Sequence, residues 1–327
     1  MDDNGQAARL ARPTSATPAV RSGDEVARVE NLKKRYGTGW AVRNVNLSVH
    51  SGEVYGFLGP NGAGKTTTIR ALLGLIRPTA GSVTLFGHRR DANTAARVGA
   101  LVESPSAYAH LTARENLEVT RRMTGAPRAQ IEEMLDLVGL AADADRPVRG
   151  FSLGMKGRLG LALALVGQPE LLILDEPTNG LDPAGIREVR ELITTLPARG
   201  VTVMVSSHLL AEIELMATHV GIITGGRMVF EGPLSALREH ATPRLIISAD
   251  PPRQAQAVLE GLGFAAHLNV DGTLEIATEP ADAAQLNAAL VHAGINVHRL
   301  EPTRASLEEL FLKLTDPAEP AERPAAD

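Results

Sequence analysis

The chain has 327 residues, room for two domains at about 150 residues each, and its 44% hydrophobic and 22% charged residues suffice for a packed core. A formal net charge of −5 and a pI near 6.0 exclude a general electrostatic affinity for nucleic acid. There is no cysteine, which excludes disulfides, thiolate metal sites and cysteine nucleophiles.

In chain order, residues 1–25 carry Pro, Thr, Ala and Arg without an apolar stretch, and a disordered leader is expected there. From Val26 onward, short β-branched runs (VARVENLKKRY, AVRNVNLSVH, EVYGFLG, SVTLFG) alternate with the helical stretch TTTIRALLGLI. Residues 107–144 are charged and helix-periodic, as in LTARENLEVTRRM and AQIEEMLDLVGL. The longest apolar run, LGLALALVG at 159–167, is nine residues. A spanning helix needs about 20, so no membrane crossing is expected. Two further unbroken apolar runs follow, LLILD and VTVMVSS, each leading into a helical segment. Such runs signal strands covered on both faces, hence a parallel α/β sheet that ends near Leu237.

A second unit is expected over 244–315. Its pattern reads strand 245–248, helix 254–261, strands 264–268 and 273–277 joined by a turn at Asp271-Gly272, helix 281–293 and strand 296–300. That βαββαβ order predicts a small ferredoxin-like α+β domain. A final amphipathic helix, 305–315, presents Leu307, Leu310, Phe311 and Leu314 on one stripe. The stripe lacks a basic face, so core or dimer contact is expected rather than a lipid anchor. A disordered tail is expected at 316–327.

The chemistry concentrates in GPNGAGKTT, residues Gly59, Pro60, Asn61, Gly62, Ala63, Gly64, Lys65, Thr66 and Thr67. It fits GxxxxGK[ST] between a strand and a helix, the context that a phosphate-binding loop requires. The glycines let backbone N–H groups turn toward phosphate oxygens, and the helix N-terminus adds partial positive charge. Lys65 can reach the β- and γ-phosphates of a nucleotide, and Thr66 can hold Mg²⁺. At the end of LLILD, Asp175 suits the same ion through a water, and Glu176 can polarise a water for attack on the γ-phosphate.

With these motifs in this order, residues 26–240 resemble the ATP-binding subunits of ABC transporters. The resemblance implies a P-loop cassette with a mostly parallel sheet, an antiparallel subdomain and a helical subdomain at about 104–157. FSLGM at 151–155 stands where the family carries LSGGQ, keeping Ser152 and Gly154 but not the first glycine or the glutamine. NGLD at 179–182 matches the D-loop, His208 the switch histidine and Tyr36 the aromatic that stacks on adenine. The implied partners are an integral-membrane permease and a second ABC subunit, with a homodimer expected. Each ATP would then lie between one phosphate loop and the opposite subunit's Ser152, Gly154 and Asp182. The implied place is the cytoplasmic face of the membrane, and no nucleic acid partner is expected.

Glu103 stands where the family usually has Gln, and with SLGMKGRL at 152–159 the chain resembles the bacitracin and lantibiotic exporter branch, which is similar at both places. The expected function is therefore ATP hydrolysis that powers export of a hydrophobic or peptide antibiotic. Blander roles stay open: Asp182 before Pro183 is also a helix cap, His208 can simply begin a helix, Tyr36 can be strand packing, and Glu103 can be a solvated carboxylate instead of a metal neighbour. The alternatives are a soluble ABC ATPase of translation or DNA repair and a weakly catalytic nucleotide sensor. The five basic and nine acidic residues of 244–315 argue against the first.

Overall fold

The computed structural model describes residues 23–89, 91–102 and 107–315. The tail at 316–327, Glu103 and all but the last residues of the expected leader lie outside them.

Two long strands, β1 (Glu25–Tyr36) and β2 (Gly39–His50), form an antiparallel pair that buries Val29, Leu32, Val42 and Val45. Next come β3 (Val54–Leu58), α1 (Lys65–Leu72), β4 (Ala80–Leu85), β5 (His88–Arg89), α2 (Ala92–Ala96) and β6 (Val98–Leu101). The charged middle forms α3 (Ala113–Thr124) and α4 (Gln130–Leu137), and α5 (Leu153–Leu165) follows, ending in the apolar run. At the start of α3, Thr112 and Glu115 make a reciprocal capping box, and Gly125 ends the helix at φ 71°. The chain continues through β7 (Leu171–Asp175), α6 (Pro183–Thr195), β8 (Thr202–Ser207), α7 (Leu210–Glu214), β9 (His219–Thr224), β10 (Arg227–Pro233) and α8 (Leu234–Glu239).

These strands make one sheet in the order β5-β4-β1-β2-β10-β9-β3-β8-β7-β6. From β9 to β6 every neighbour is parallel, and the β5-β4-β1-β2 end is antiparallel. Every residue of β3, β7 and β8 is buried, because helices cover both faces of the parallel part. The loops after β3, β7 and β8 therefore emerge together at the carboxyl edge, where open α/β sheets place their ligands.

The smaller unit comprises β11 (Pro243–Asp250), α9 (Pro252–Gly261), β12 (Ala266–Leu268), β13 (Leu274–Ala277), α10 (Ala283–His292) and β14 (Asn296–Arg304). Its antiparallel order β12-β13-β11-β14 is the ferredoxin-like arrangement, closed over Leu245, Ile247, Leu259, Leu274, Ile276 and Leu286. Strand β14 runs four residues past the expected end because its pairing with β11 continues to Arg304 opposite Pro243.

Helix α11 (Leu307–Thr315) returns to the larger unit. Leu307 and Phe311 are buried in the same core as Leu210, Ile213 and Met216, and α11 packs against α7. Arg244 of β11 pairs with both Glu275 and Glu309, which ties the small sheet to this helix. Among the described residues, no helix is long and apolar enough to cross a membrane.

Candidate functional site

The loop after β3 can take its path only with glycine at two places. At Gly64, φ is 111°, and a Cβ would lie 2.7 Å from the carbonyl oxygen of Ala41. At Gly59, a Cβ would lie 2.3 Å from the carbonyl oxygen of Ile223. The backbone is thereby pressed against β2 and β9 and rises into α1, which has no side-chain cap and no acidic residue in its first turn. An uncapped N-terminus of this kind presents orphan N–H donors and positive potential to an anion.

A cleft of about 410 Å³ opens above the loop. Tyr36, Pro60, Asn61, Gly62, Ala63, Gly64, Lys65, Thr66 and Thr67 line it, with Ala41, Glu176 and Asn179. Gly59 sits at its root, where its carbonyl accepts a 2.6 Å hydrogen bond from Lys65 Nζ. Tyr36 is 50% exposed at the end of β1, with Lys34 Nζ 4.9 Å from its ring centroid, and the exposed part of the ring can stack on a flat ligand.

Lys65, Glu176 and His208 come together at one side of the cleft. Glu176 Oε1 lies 3.1 Å from Lys65 Nζ, and Oε2 lies 2.8 Å from His208 Nδ1. Lys65 is 6% exposed and Glu176 18%, so this is a shielded contact and not a surface ion pair. Glu176 holds φ at 50°, left-handed for a residue with a side chain, a conformation that surrounding structure must impose at a cost of about 1–3 kcal/mol. Asp175, 3% exposed, ends β7 beside it and accepts a 2.6 Å hydrogen bond from Ser206 Oγ. A buried lysine, a flanking carboxylate and a ring of backbone donors suit a polyphosphate. The Thr66 hydroxyl and Asp175 carboxylate are hard oxygen donors, the set that binds Mg²⁺ together with substrate phosphates.

Of the signature and D-loop residues, Asn179 lines this cleft, whereas Ser152, Gly154 and Asp182 are not among its lining. Ser152 caps α5, its Oγ accepting from the Met155 amide at 3.2 Å. Asp182 caps α6 by accepting from the Gly185 amide at 3.1 Å, with Pro183 at the first helical position, as its cap reading requires. Gly154 lies in the first turn of α5, also outside the cleft. His208 does precede a helix, α7, yet its ring is turned to Glu176.

Two residues of the cluster were not singled out in the sequence. Ser206 bridges Asp175 and the Glu176 amide. Glu212 of α7 accepts from the hydroxyls of Thr178, at 2.6 Å, and Ser207, at 3.3 Å, joining the loops after β7 and β8. A serine at the end of a β-branched run and a glutamate on a short helix carry no signal of their own.

Comparison with known proteins gives one answer. The family model described as ABC transporter matches residues 42–179. The chain is 42% identical over 297 residues to the bacitracin transport ATP-binding protein BcrA of Bacillus licheniformis, covering 88% of this chain and 97% of that one. It is 44% identical over 204 residues to the lantibiotic transport ATP-binding protein SrtF of Streptococcus pyogenes, covering 62% of this chain and 89% of that one. A solved ATP-binding subunit of an ABC transporter superposes with a TM-score of 0.60 at 30% identity, over 65% of this chain and 92% of the other. The cbiO1 protein of Clostridium perfringens, part of the ABC transporter complex cbiONQ, gives 0.61 at 25% identity, over 73% and 98%. A phosphate-loop cleft of this build, with these relatives, makes the chain a member of the ABC transporter family, an ATP-binding subunit that hydrolyses ATP.

Proposed function

We propose that this chain powers the export of a hydrophobic or peptide antibiotic of the bacitracin or lantibiotic kind. In this reading it works as a homodimer on the cytoplasmic face of a separate membrane permease. The observation that carries the reading is the match to a bacitracin transport ATP-binding protein along nearly that protein's whole length and 88% of this chain. The rival class, a translation or repair ATPase, draws nothing from relatives whose names state transport.

The proposed roles combine the geometry of the cleft with the pattern of the family. Tyr36 stacks on adenine, while the backbone donors from Gly59 to Gly64, with Lys65, Thr66 and Thr67, hold the phosphates. Thr66 and Asp175 would hold Mg²⁺, and the family pattern, not the structure, adds Glu103 to them. That ion neutralises charge on the β- and γ-phosphates when bound. Glu176 takes a proton from a water whose oxygen attacks the γ-phosphorus, the bond to the β–γ bridging oxygen breaks, and ADP departs with phosphate. His208, paired with the other oxygen of the same carboxylate, orients it. Ser152, Gly154 and Asp182 act in trans, completing the opposite subunit's site, so ATP favours the closed pair and its hydrolysis releases it.

The test is co-expression with a candidate membrane permease in a strain sensitive to bacitracin and a lantibiotic. Tolerance should rise with the wild-type pair and vanish with Glu176→Gln. A complex that hydrolyses ATP yet changes tolerance to neither compound overturns the cargo, and a fully protective E176Q pair overturns the energy coupling.

A further inference from the structure

Strand β8 lies between β3 and β7, and its Ser206 stands opposite Asp175 in the register. The residue is fully buried, and its single hydroxyl makes two directed contacts. It donates to Asp175 Oδ1 at 2.6 Å and accepts from the backbone amide of Glu176 at 3.0 Å. One contact fixes the direction of a buried carboxylate, and the other fixes the peptide that leads into the left-handed backbone of Glu176 at φ 50°. An apolar side chain at this position would leave both a carboxylate oxygen and an amide without that partner in a site closed to water.

We infer that Ser206 is a positioning residue of the ATPase site, setting together the aim of Asp175 at the metal and of Glu176 at the attacking water. The inference rests on the roles proposed above for those two carboxylates. Ser206 is not among the residues lining the cleft, and it bonds to both of the adjacent acidic residues with which the chain would divide metal holding from proton abstraction. Coupling both to one hydroxyl means that losing it disturbs the two functions together while leaving the phosphate loop intact. A purely structural serine would affect neither function selectively.

The test uses the full-length chain, with Ser206→Ala to remove the hydroxyl and Ser206→Thr to restore it. ATP affinity measured in EDTA reads the phosphate loop alone. The Mg²⁺ concentration that gives half of the rise in melting temperature with a non-hydrolysable ATP analogue reads Asp175 without turnover. With S206A, the EDTA affinity should stay within about twofold of wild type, the Mg²⁺ midpoint should rise about fivefold, and kcat should fall about tenfold with KM for ATP little changed, in keeping with the loss of a hydrogen bond to a charged group. S206T should return both values toward wild type. A wild-type Mg²⁺ midpoint and kcat in S206A overturn the inference, and so does loss of EDTA affinity together with a lowered melting temperature. If the wild-type chain itself shows no Mg²⁺-dependent ATP binding, the ATPase reading fails instead.

Discussion

Replacing Glu176 with Gln removes a charge while keeping the side chain's size and one accepting oxygen. In the ligand-free chain that charge engages Lys65, with Nζ and Oε1 3.1 Å apart and side chains 6% and 18% exposed. At an effective dielectric constant near 20, unit charges at that distance attract by about 5 kcal/mol. Desolvation of both ions offsets much of it, leaving a net of about 1.5–3 kcal/mol for a hydrogen bond between charged groups. A phosphate must displace this contact before Lys65 can serve it. Neutralising Glu176 should therefore tighten ATP binding by about tenfold, or 1.4 kcal/mol. Turnover should fall by about a hundredfold or more, because a positioned general base contributes about 10²–10⁴ to rate. Equilibrium titration with a fluorescent ATP analogue measures the first effect, and a phosphate-release assay on the permease complex measures the second. Wild-type turnover in E176Q refutes the general-base role. Weakened ATP binding refutes the competition for Lys65.

Two stability predictions probe the frame around the site. Phe311→Ala removes a buried ring that packs with Leu307 in the core shared with α7, and should cost about 3 kcal/mol, lowering the main calorimetric transition by several degrees rather than merely fraying the chain end. Tyr55 is held protonated well above the ordinary phenol value of 10.0, first by burial, then by the Glu231 charge and hydrogen bond and by the Glu53 charge. With its folded pKa raised, the stability it contributes is complete below that value and is lost as pH climbs from there toward the folded pKa, because the unfolded chain releases the proton first. Melting temperatures at about pH 8 and pH 11 should therefore diverge more in the wild type than in Tyr55→Phe, and an equal fall in both contradicts the burial argument.

The phosphate loop could be read from residue types because its path admits little else. Gly64 at φ 111° against the Ala41 carbonyl tolerates no side chain, so the motif and the geometry are one constraint. The same holds for β7 and β8, whose unbroken apolar runs match strands buried on both faces. Other features depend on neighbours remote in sequence. The stripe on 305–315 predicts a buried face but not its partner, and only the folded chain reveals that Phe311 joins the larger core. Ser206 carries no periodic signal, since its importance comes from facing Asp175 across two strands. Glu176 has an ordinary place after a strand in the sequence, and its left-handed backbone follows from packing around the loops after β7 and β8. Glu103, read as a variation on the family pattern, lies outside the described residues.

The most direct test of the account is calorimetric titration of ATP with Mg²⁺ into the purified full-length chain, beside Lys65→Ala. The account predicts saturable binding, one nucleotide per chain, weakened by about tenfold or more in the variant through loss of a charge-assisted contact to phosphate. Equal affinity in the two proteins, or no binding in either, contradicts it.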